Sequence, residues 1–133
     1  MLNGLSVLIV ENEPLIALDL SDAVVDLQGI VIGPVPTVAE ALAILAGQPV
    51  GAAILDARLD DRDVTPLAIR LVEQAVPFVI HTGTGLPAEL AASHPDLPVI
   101  LKPKRPGEVV ATLMEQLRMP IRSGEPRASA RQG

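Results

Sequence analysis

The chain has 133 residues, of which 49% are hydrophobic, so it has the apolar content for one domain built around a single core. It contains no cysteine, which excludes disulfide frameworks, thiolate metal sites and cysteine nucleophiles. Residues 1–118 carry 15 acidic and seven basic side chains, and this excess of negative charge argues against a nucleic acid partner, whose phosphate backbone it would repel.

The N-terminal apolar run ends at Glu11 and Pro14, which is too early for a signal peptide, and no basic segment precedes it. No stretch reaches the ~18 uninterrupted apolar residues that span a membrane. We therefore expect a cytoplasmic protein without a membrane partner.

Strand and helix patterns alternate along the chain. Short aliphatic runs predict five strands, at Leu5–Val10, Ile30–Ile32, Ala52–Leu55, Phe78–Ile80 and Val99–Leu101. These runs lack polar alternation, which is typical of strands buried on both faces of a parallel sheet. Segments with a helical period follow them, at Leu15–Gln28, Val38–Ala46, Leu67–Ala75, Ala88–His94 and Glu108–Arg118. The alternation predicts an α/β fold of the (βα)5 type, a doubly wound parallel sheet with helices on both faces.

The predicted helices have polar and apolar faces and recognisable ends. In the first helix one polar face carries Asp19, Asp22 and Asp26, and a separate apolar stripe carries Ile16, Leu20, Val24 and Leu27. The expected end signals are Pro14 and Pro106 in first turns, a Thr37–Glu40 capping box, and left-handed C-caps at Gly29 and Gly47. No period extends past Arg118, so we predict a domain over 1–118 and a flexible tail over 119–133.

Polar residues follow four of the predicted strands. Glu11, Asn12 and Glu13 follow the first strand, Asp56 the third, His81 and Thr82 the fourth, and Lys102 the fifth. In an open parallel sheet the carboxyl ends of the strands form the ligand-binding edge, so we expect these side chains to converge.

The residue types at this edge suit phosphoryl transfer to a carboxylate. Carboxylate oxygens hold Mg2+, and the metal neutralises the incoming phosphoryl oxygens. Asp56 then attacks phosphorus and becomes an aspartyl phosphate. Thr82 donates a hydrogen bond to one phosphoryl oxygen, and Lys102 supplies positive charge to another.

At these residues the chain resembles the receiver domain family of response regulators in two-component signalling. The motifs are Glu11-Asn12-Glu13-Pro14, Ile-Leu-Asp56, Thr82-Gly83 and Lys102-Pro103, each after its strand. The resemblance implies a flavodoxin-like sheet of order 2-1-3-4-5, with Asp56 as phosphoacceptor, Thr82 as switch hydroxyl and Lys102 as phosphate-binding lysine. It also implies metal bonds from Asn12, Asp56 and the carbonyl of Arg58, a water-mediated role for Glu11, and a cis peptide bond before Pro103.

The sequence departs from the family pattern at three places. Asn12 stands where the family usually has Asp, which removes one negative charge from the metal site. Val99 stands where many receivers have a switching Tyr or Phe. The segment after the fourth strand keeps only Thr-Gly of the Phe-Ala-Thr-Gly-x-Tyr motif that marks one group of single-domain regulators.

The resemblance implies a stand-alone regulator that accepts a phosphoryl group from a histidine kinase or phosphotransfer protein. It would signal through altered protein contacts, on the face formed by helix four, strand five and helix five. As an enzyme it would at most catalyse its own phosphorylation from a phosphodonor and its own dephosphorylation.

Two alternatives remain open from the sequence. Asn12 and Val99 favour an interaction module that keeps the receiver fold and works without phosphate. A flavodoxin-like cofactor protein or a phosphatase would share the sheet. However, no glycine-rich loop follows the first strand, and Arg58 stands where a phosphatase would need a second Asp.

Several polar residues also have structural interpretations. Glu11 and Glu13 could cap the first helix, since acids favour a helix N-terminus by ~0.3–1 kcal/mol. His81 is expected to be a polar loop neighbour of Thr82 rather than a functional group. The loop after the third strand carries three acids that we interpret as solvated, namely Asp60, Asp61 and Asp63.

Overall fold

The computed structural model describes residues 1–119 as one five-stranded sheet with five helices around it. The strands are β1 (Ser6–Val10), β2 (Ile30–Val35), β3 (Ala52–Leu55), β4 (Phe78–Thr82) and β5 (Val99–Leu101). The helices are α1 (Pro14–Asp26), α2 (Val38–Gly47), α3 (Thr65–Glu73), α4 (Ala88–Ser93) and α5 (Pro106–Leu117). All ten predicted elements are present, and the helix ends lie within two residues of their predicted positions.

The sheet is parallel throughout, and its strand order is β2-β1-β3-β4-β5. This confirms the doubly wound α/β fold and the flavodoxin-like order. The chain moves to one side of β1 to form β2 and to the other side to form β3. The order therefore reverses between β1 and β3, where a crevice at the carboxyl edge is expected.

The core consists of two hydrophobic layers, one on each face of the sheet. Leu8 and Val10 of β1 point to the layer covered by α2, α3 and α4. Val7 and Ile9 point to the layer covered by α1 and α5. Each large aliphatic side chain buried in this way contributes about 1.5–3 kcal/mol to folding, so both helix layers are held firmly against the sheet.

The edge strands differ from the prediction of burial on both faces. Ile30 in β2 and Leu101 in β5 are 57% and 58% exposed, whereas β3 and β4 are buried throughout. The prediction was wrong there because an aliphatic run does not reveal whether a strand has one neighbour or two. β2 also continues past its predicted end through Pro34, which lacks a backbone donor but is tolerated on an edge strand.

The predicted helix faces and two kinds of end signal are confirmed. Asp19, Asp22 and Asp26 are exposed on α1, and the apolar stripe of the same helix packs into the core through Ile16, Leu20, Val24 and Leu27. The Thr37 hydroxyl accepts from the Glu40 N–H at 3.1 Å and donates to the Glu40 carboxylate at 2.8 Å. Prolines occupy the first turns of α1 and α5, as predicted.

The predicted left-handed C-caps at Gly29 and Gly47 are wrong. Gln28 takes the left-handed conformation after α1, with φ at 68°, while Gly47 is the last helical residue of α2 and has no positive φ. Gly29 instead lies in close contact with neighbouring side chains, which would have to shift to accommodate a larger residue. A Cβ atom there would lie 2.6 Å from Leu2 Cδ1 and 2.8 Å from Val24 Cγ1.

All three acids of the loop after β3 accept hydrogen bonds; Asp60 and Asp61 are exposed to solvent as predicted, but the sequence did not reveal these partners. Asp61 accepts from the N–H groups of Val38 and Ala39 at 2.9 and 3.0 Å, and thereby caps α2 from 23 residues away. These bonds lower the pKa of Asp61. Asp63 accepts from the Thr65 N–H at 2.9 Å, where α3 begins. The pairing depends on how the loop crosses the helix end, which no local pattern reveals.

No helix within residues 1–119 combines the length and the apolar character that crossing a bilayer requires. The predicted tail lies outside the described residues, apart from Met119.

Candidate functional site

The carboxyl edge of the sheet places Glu11 and Asp56 side by side. Val10 pairs with Leu55 at the ends of β1 and β3, and the Asp56 N–H donates to the Val10 carbonyl at 2.8 Å. The residues that follow these strands are therefore neighbours. Glu11 is 4% exposed and Asp56 7%, so both carboxylates are withdrawn from water and need a compensating charge or a proton.

Lys102, which follows β5, supplies a compensating charge. Its Nζ atom lies 2.9 Å from Glu13 Oε2, 3.2 Å from Asp56 Oδ2 and 3.3 Å from Glu11 Oε1. These contacts raise the pKa of Lys102 although its partial burial opposes the charge, so the side chain is an ammonium at neutral pH. One cation therefore faces three carboxylates.

Glu11 shows that this compensation is incomplete. Burial, together with the neighbouring carboxyl of Asp56, raises the pKa of Glu11 to about 7. Its Oε2 atom accepts from the Glu13 N–H at 3.1 Å. Its buried Oε1 atom has no hydrogen-bond partner among the described residues beyond the ion pair with Lys102. A buried carboxylate oxygen without a hydrogen-bond donor still has lone pairs that can bind a further cation.

Glu13 is the N-cap residue of α1, but its side chain makes no capping hydrogen bond. It reaches instead to Lys102, so helix capping does not account for this carboxylate. Glu13 was not among the predicted metal ligands. Its place in the acidic segment after β1 was the signal available, but only the fold shows that it lies beside Lys102.

The donor set fits Mg2+. Carboxylate oxygens from Glu11, Glu13 and Asp56 all lie within 4.8 Å of one another. Mg2+ prefers hard oxygen ligands, binds through a few carboxylates and retains several waters. The buried, incompletely bonded oxygen of Glu11 is the strongest single indication that a cation belongs here.

The other two predicted metal ligands, Asn12 and Arg58, each donate a hydrogen bond to an acidic side chain. The Asn12 side-chain amide donates to Asp60 Oδ1 at 3.2 Å. The Arg58 N–H donates to Asp56 Oδ1 at a long 3.5 Å, a contact between neighbouring residues at the start of the loop after β3.

Thr82 and Lys102 are joined through the backbone of neighbouring strands. Thr82 is the last residue of β4 and is buried, and its hydroxyl accepts from the Thr84 N–H at 3.1 Å. The Lys102 N–H donates to the Thr82 carbonyl at 2.8 Å. The peptide bond between Lys102 and Pro103 is cis, as the family resemblance implied.

His81 lies inside β4 and is only 3% exposed, so its interpretation as a loop residue was wrong. Within residues 1–119, neither ring nitrogen has a hydrogen-bond partner. Burial lowers the pKa of His81, and the positive charge of Lys102 lowers it further, so the imidazole is neutral. The alternation of the strand places His81 on the face opposite Thr82.

A parallel sheet of this order, with a carboxylate cluster and a lysine at its carboxyl edge, defines a doubly wound α/β domain with a charged site where such sheets bind ligands. No protein-family model matches the chain, and no curated protein sequence matches it. Solved structures do match.

The structure of SdrG from Sphingomonas melonis Fr1 is 36% identical with a TM-score of 0.74, covering 90% of this chain and all of that one. SdrG in its BeF3-activated conformation, from Pseudomonas melonis Fr1, is 38% identical with a TM-score of 0.68, covering 86% of this chain and 96% of that one.

The receiver domain of the sensor histidine kinase PA1611 from Pseudomonas aeruginosa PAO1, solved with magnesium in its active-site cleft, is 21% identical. Its TM-score is 0.71, and the match covers 86% of this chain and 98% of that one. At that identity the likeness concerns the fold alone. Together with the similarity to SdrG, the fold identifies the family. The chain belongs to the receiver domain family of response regulators.

Proposed function

We propose that this receiver accepts a phosphoryl group on Asp56 from a phosphohistidine of a histidine kinase or phosphotransfer protein in the cytoplasm. The observation that carries the proposal is the pair formed by Asp56 and Lys102. A nearly buried carboxylate ends a central strand, and an ammonium lies 3.2 Å away. That positive charge reduces the repulsion between the carboxylate and an incoming phosphoryl group.

The transfer is an in-line displacement at phosphorus. A carboxylate oxygen of Asp56 forms the new P–O bond while the P–N bond to the donor histidine breaks. The electron pair of that bond returns to the ring nitrogen, and the departing imidazole is neutral because its other nitrogen carries a proton. Asp56 becomes a mixed acyl phosphate.

Mg2+ would supply positive charge to the phosphoryl oxygens when it is bound. Glu11 and Asp56 would hold it, together with Asn12 and the carbonyl of Arg58, which the family resemblance assigns to the metal. The fit rests on the oxygen-rich donor set and on the buried oxygen of Glu11.

Thr82 and Lys102 act on the phosphorylated state. In the structure the Thr82 hydroxyl accepts from the Thr84 N–H. In the phosphorylated state this hydroxyl donates to one phosphoryl oxygen, and the Lys102 ammonium pairs with another. Because Val99 stands where many receivers have an aromatic switch, the signal passes through the backbone bond between Lys102 and Thr82.

The output is a changed protein-binding surface formed by α4, β5 and α5. Phosphorylation adds about −1.5 to −2 charge at the edge of this surface and shifts an existing conformational equilibrium. The surface offers an exposed apolar residue, Leu101, next to the exposed basic residues Lys104 and Arg105. A protein partner with an apolar contact and acidic residues would fit it.

Intact mass spectrometry after incubation with Mg2+ and acetyl phosphate tests the proposal. We expect a single phosphoryl adduct on the parent protein and none on Asp56→Asn. Asp96→Asn, which changes an exposed acid between α4 and β5, is the matched control and should label like the parent. An adduct on Asp56→Asn would reject the assignment of the phosphoacceptor.

A receiver-fold interaction module that works without phosphate is the second candidate. The neutral Asn12, which bonds Asp60, is the observation that favours it. Absence of both an adduct and Mg2+ binding in the parent protein would select this function.

A further inference from the structure

Glu13 occupies an unusual position for an N-terminal helix residue. As the N-cap of α1 it leaves its own helix uncapped, and its side chain, 58% exposed, extends over the carboxylate cluster. Its Oε2 atom approaches Lys102 Nζ at 2.9 Å, the shortest of the three contacts that this ammonium makes with carboxylates. The Glu13 side chain thus interacts with the charged site and does not cap its own helix.

The Asn12 side-chain amide bonds to a loop residue and not to the carboxylate cluster. Its amide nitrogen donates to Asp60, a residue 48 positions away in the loop after β3, at 3.2 Å. Asn12 is also neutral, so even with its oxygen turned towards the site it would add no charge. Of the two residues that follow Glu11, Asn12 therefore contacts the loop after β3, and Glu13 contacts Lys102 at the carboxylate cluster.

The carboxylate oxygens also have a spacing suited to one small cation. Oxygens of Glu11, Glu13 and Asp56 lie within 4.8 Å of one another. Opposite ligands of an octahedral Mg2+ lie about 4.2 Å apart, twice the metal–oxygen distance of about 2.1 Å. The exposed Glu13 side chain can adjust to such a cation, whereas Glu11 and Asp56 are buried directly after the strand ends.

We propose that Glu13 supplies the third carboxylate of the Mg2+ site, and with it the negative charge that Asn12 lacks. This inference rests on the proposed function, because it assigns a role to Glu13 at the same site. It implies that Lys102 and the metal share one carboxylate. Loading the site then weakens the hold of Glu13 on Lys102, whose ammonium becomes available to a phosphoryl group.

The test is calorimetric titration of Mg2+ into the full chain and four variants. Glu13→Gln keeps the size of the side chain and removes its charge. Asp19→Asn, on the exposed face of α1, removes one charge away from the site and is the matched control. We expect Glu13→Gln to bind Mg2+ about tenfold or more weakly than the parent. Asp19→Asn should differ by less than about twofold, because exposed charges at a distance are screened.

A second pair of variants separates ligation from an effect through Lys102. In a Lys102→Met background, Glu13 has no ammonium to hold. If Glu13 serves the metal, adding Glu13→Gln to that background again weakens binding about tenfold. If its role is only to position Lys102, the added change has no effect, and the inference is overturned. Circular dichroism of each variant confirms that it is folded.

Failure of the inference differs from failure of the proposed function. If the parent chain gives no Mg2+ binding at all, the metal site itself is rejected. If the parent binds Mg2+ and labels on Asp56 while Glu13→Gln binds as tightly as the parent, only the role of Glu13 is rejected.

Discussion

The Nζ atom of Lys102 lies 3.2 Å from Oδ2 of Asp56, although 46 residues separate them in the chain. The contact exists because β3 and β5 flank β4 in a parallel sheet and end at the same edge. It makes the charge balance of the site depend on one residue, since Glu11 and Glu13 also pair with this ammonium.

Lys102→Met is expected to destabilise the protein when Mg2+ is absent. The change leaves neighbouring carboxylates without their cation, which costs about 1–3 kcal/mol of unfolding free energy. Urea denaturation at about pH 8, where acids are ionised, measures the loss. Added Mg2+ should recover part of it, because a ligand that binds only the folded state stabilises that state. Lys104→Met, at an exposed neighbouring lysine, should behave like the parent; an equal loss there would refute the explanation.

Glu11→Gln is expected to change how stability depends on pH. The pKa of Glu11 is raised from 4.5 to about 7, so the folded state binds this proton more tightly than the unfolded chain does. The free energy of unfolding therefore falls as pH rises through that interval. Above about pH 7 we expect Glu11→Gln to be more stable than the parent, by up to ~3 kcal/mol, and below about pH 4.5 the advantage disappears.

Denaturation of both proteins across this pH range, without Mg2+, provides the measurement. Glu89→Gln, an exposed glutamate of α4, is the control. A constant difference between Glu11→Gln and the parent at all pH values would contradict the assignment.

His81→Leu is expected to stabilise the domain. The imidazole is buried with two unpaired nitrogens, and replacing it by an apolar side chain removes a desolvation cost of about 1–2 kcal/mol. Burial lowers the pKa of His81 in the folded state, so protonation of this imidazole favours the unfolded chain. The free energy of unfolding of the parent therefore decreases as pH falls below about 6.5. The advantage of the variant should therefore grow in acid. Thermal melting of His81→Leu beside His94→Leu measures this, and a destabilised His81→Leu would show that the imidazole has a partner after all.

Asp61→Ala is expected to loosen the start of α2. Its carboxylate caps the N–H groups of Val38 and Ala39, and its lowered pKa means that this contribution is present at neutral pH and is lost in acid. Hydrogen exchange at these two amides should be faster in Asp61→Ala than in the parent. Asp60→Ala, one residue away, should leave them protected, so faster exchange in both variants would point to a general loosening of the loop.

The sequence alone determined the fold class and the residues at the carboxyl edge. Aliphatic runs and helical periods are local, and every element followed from them. The convergence of Asp56, Thr82 and Lys102 on one edge also follows, because each comes at or directly after the end of a parallel strand.

Tertiary structure decided the details that depend on neighbours far along the chain. Exposure of Ile30 and Leu101 depends on which strands lie at the edges, and the roles of Asp61 and Glu13 depend on what each carboxylate faces across the fold. Gly29 lies so close to Leu2 that an added Cβ would make that side chain shift, although the φ of Gly29 itself does not call for glycine. A local pattern fixes hydrogen bonding and amphipathicity within a few residues, whereas charge pairing and close contact arise only when distant segments meet.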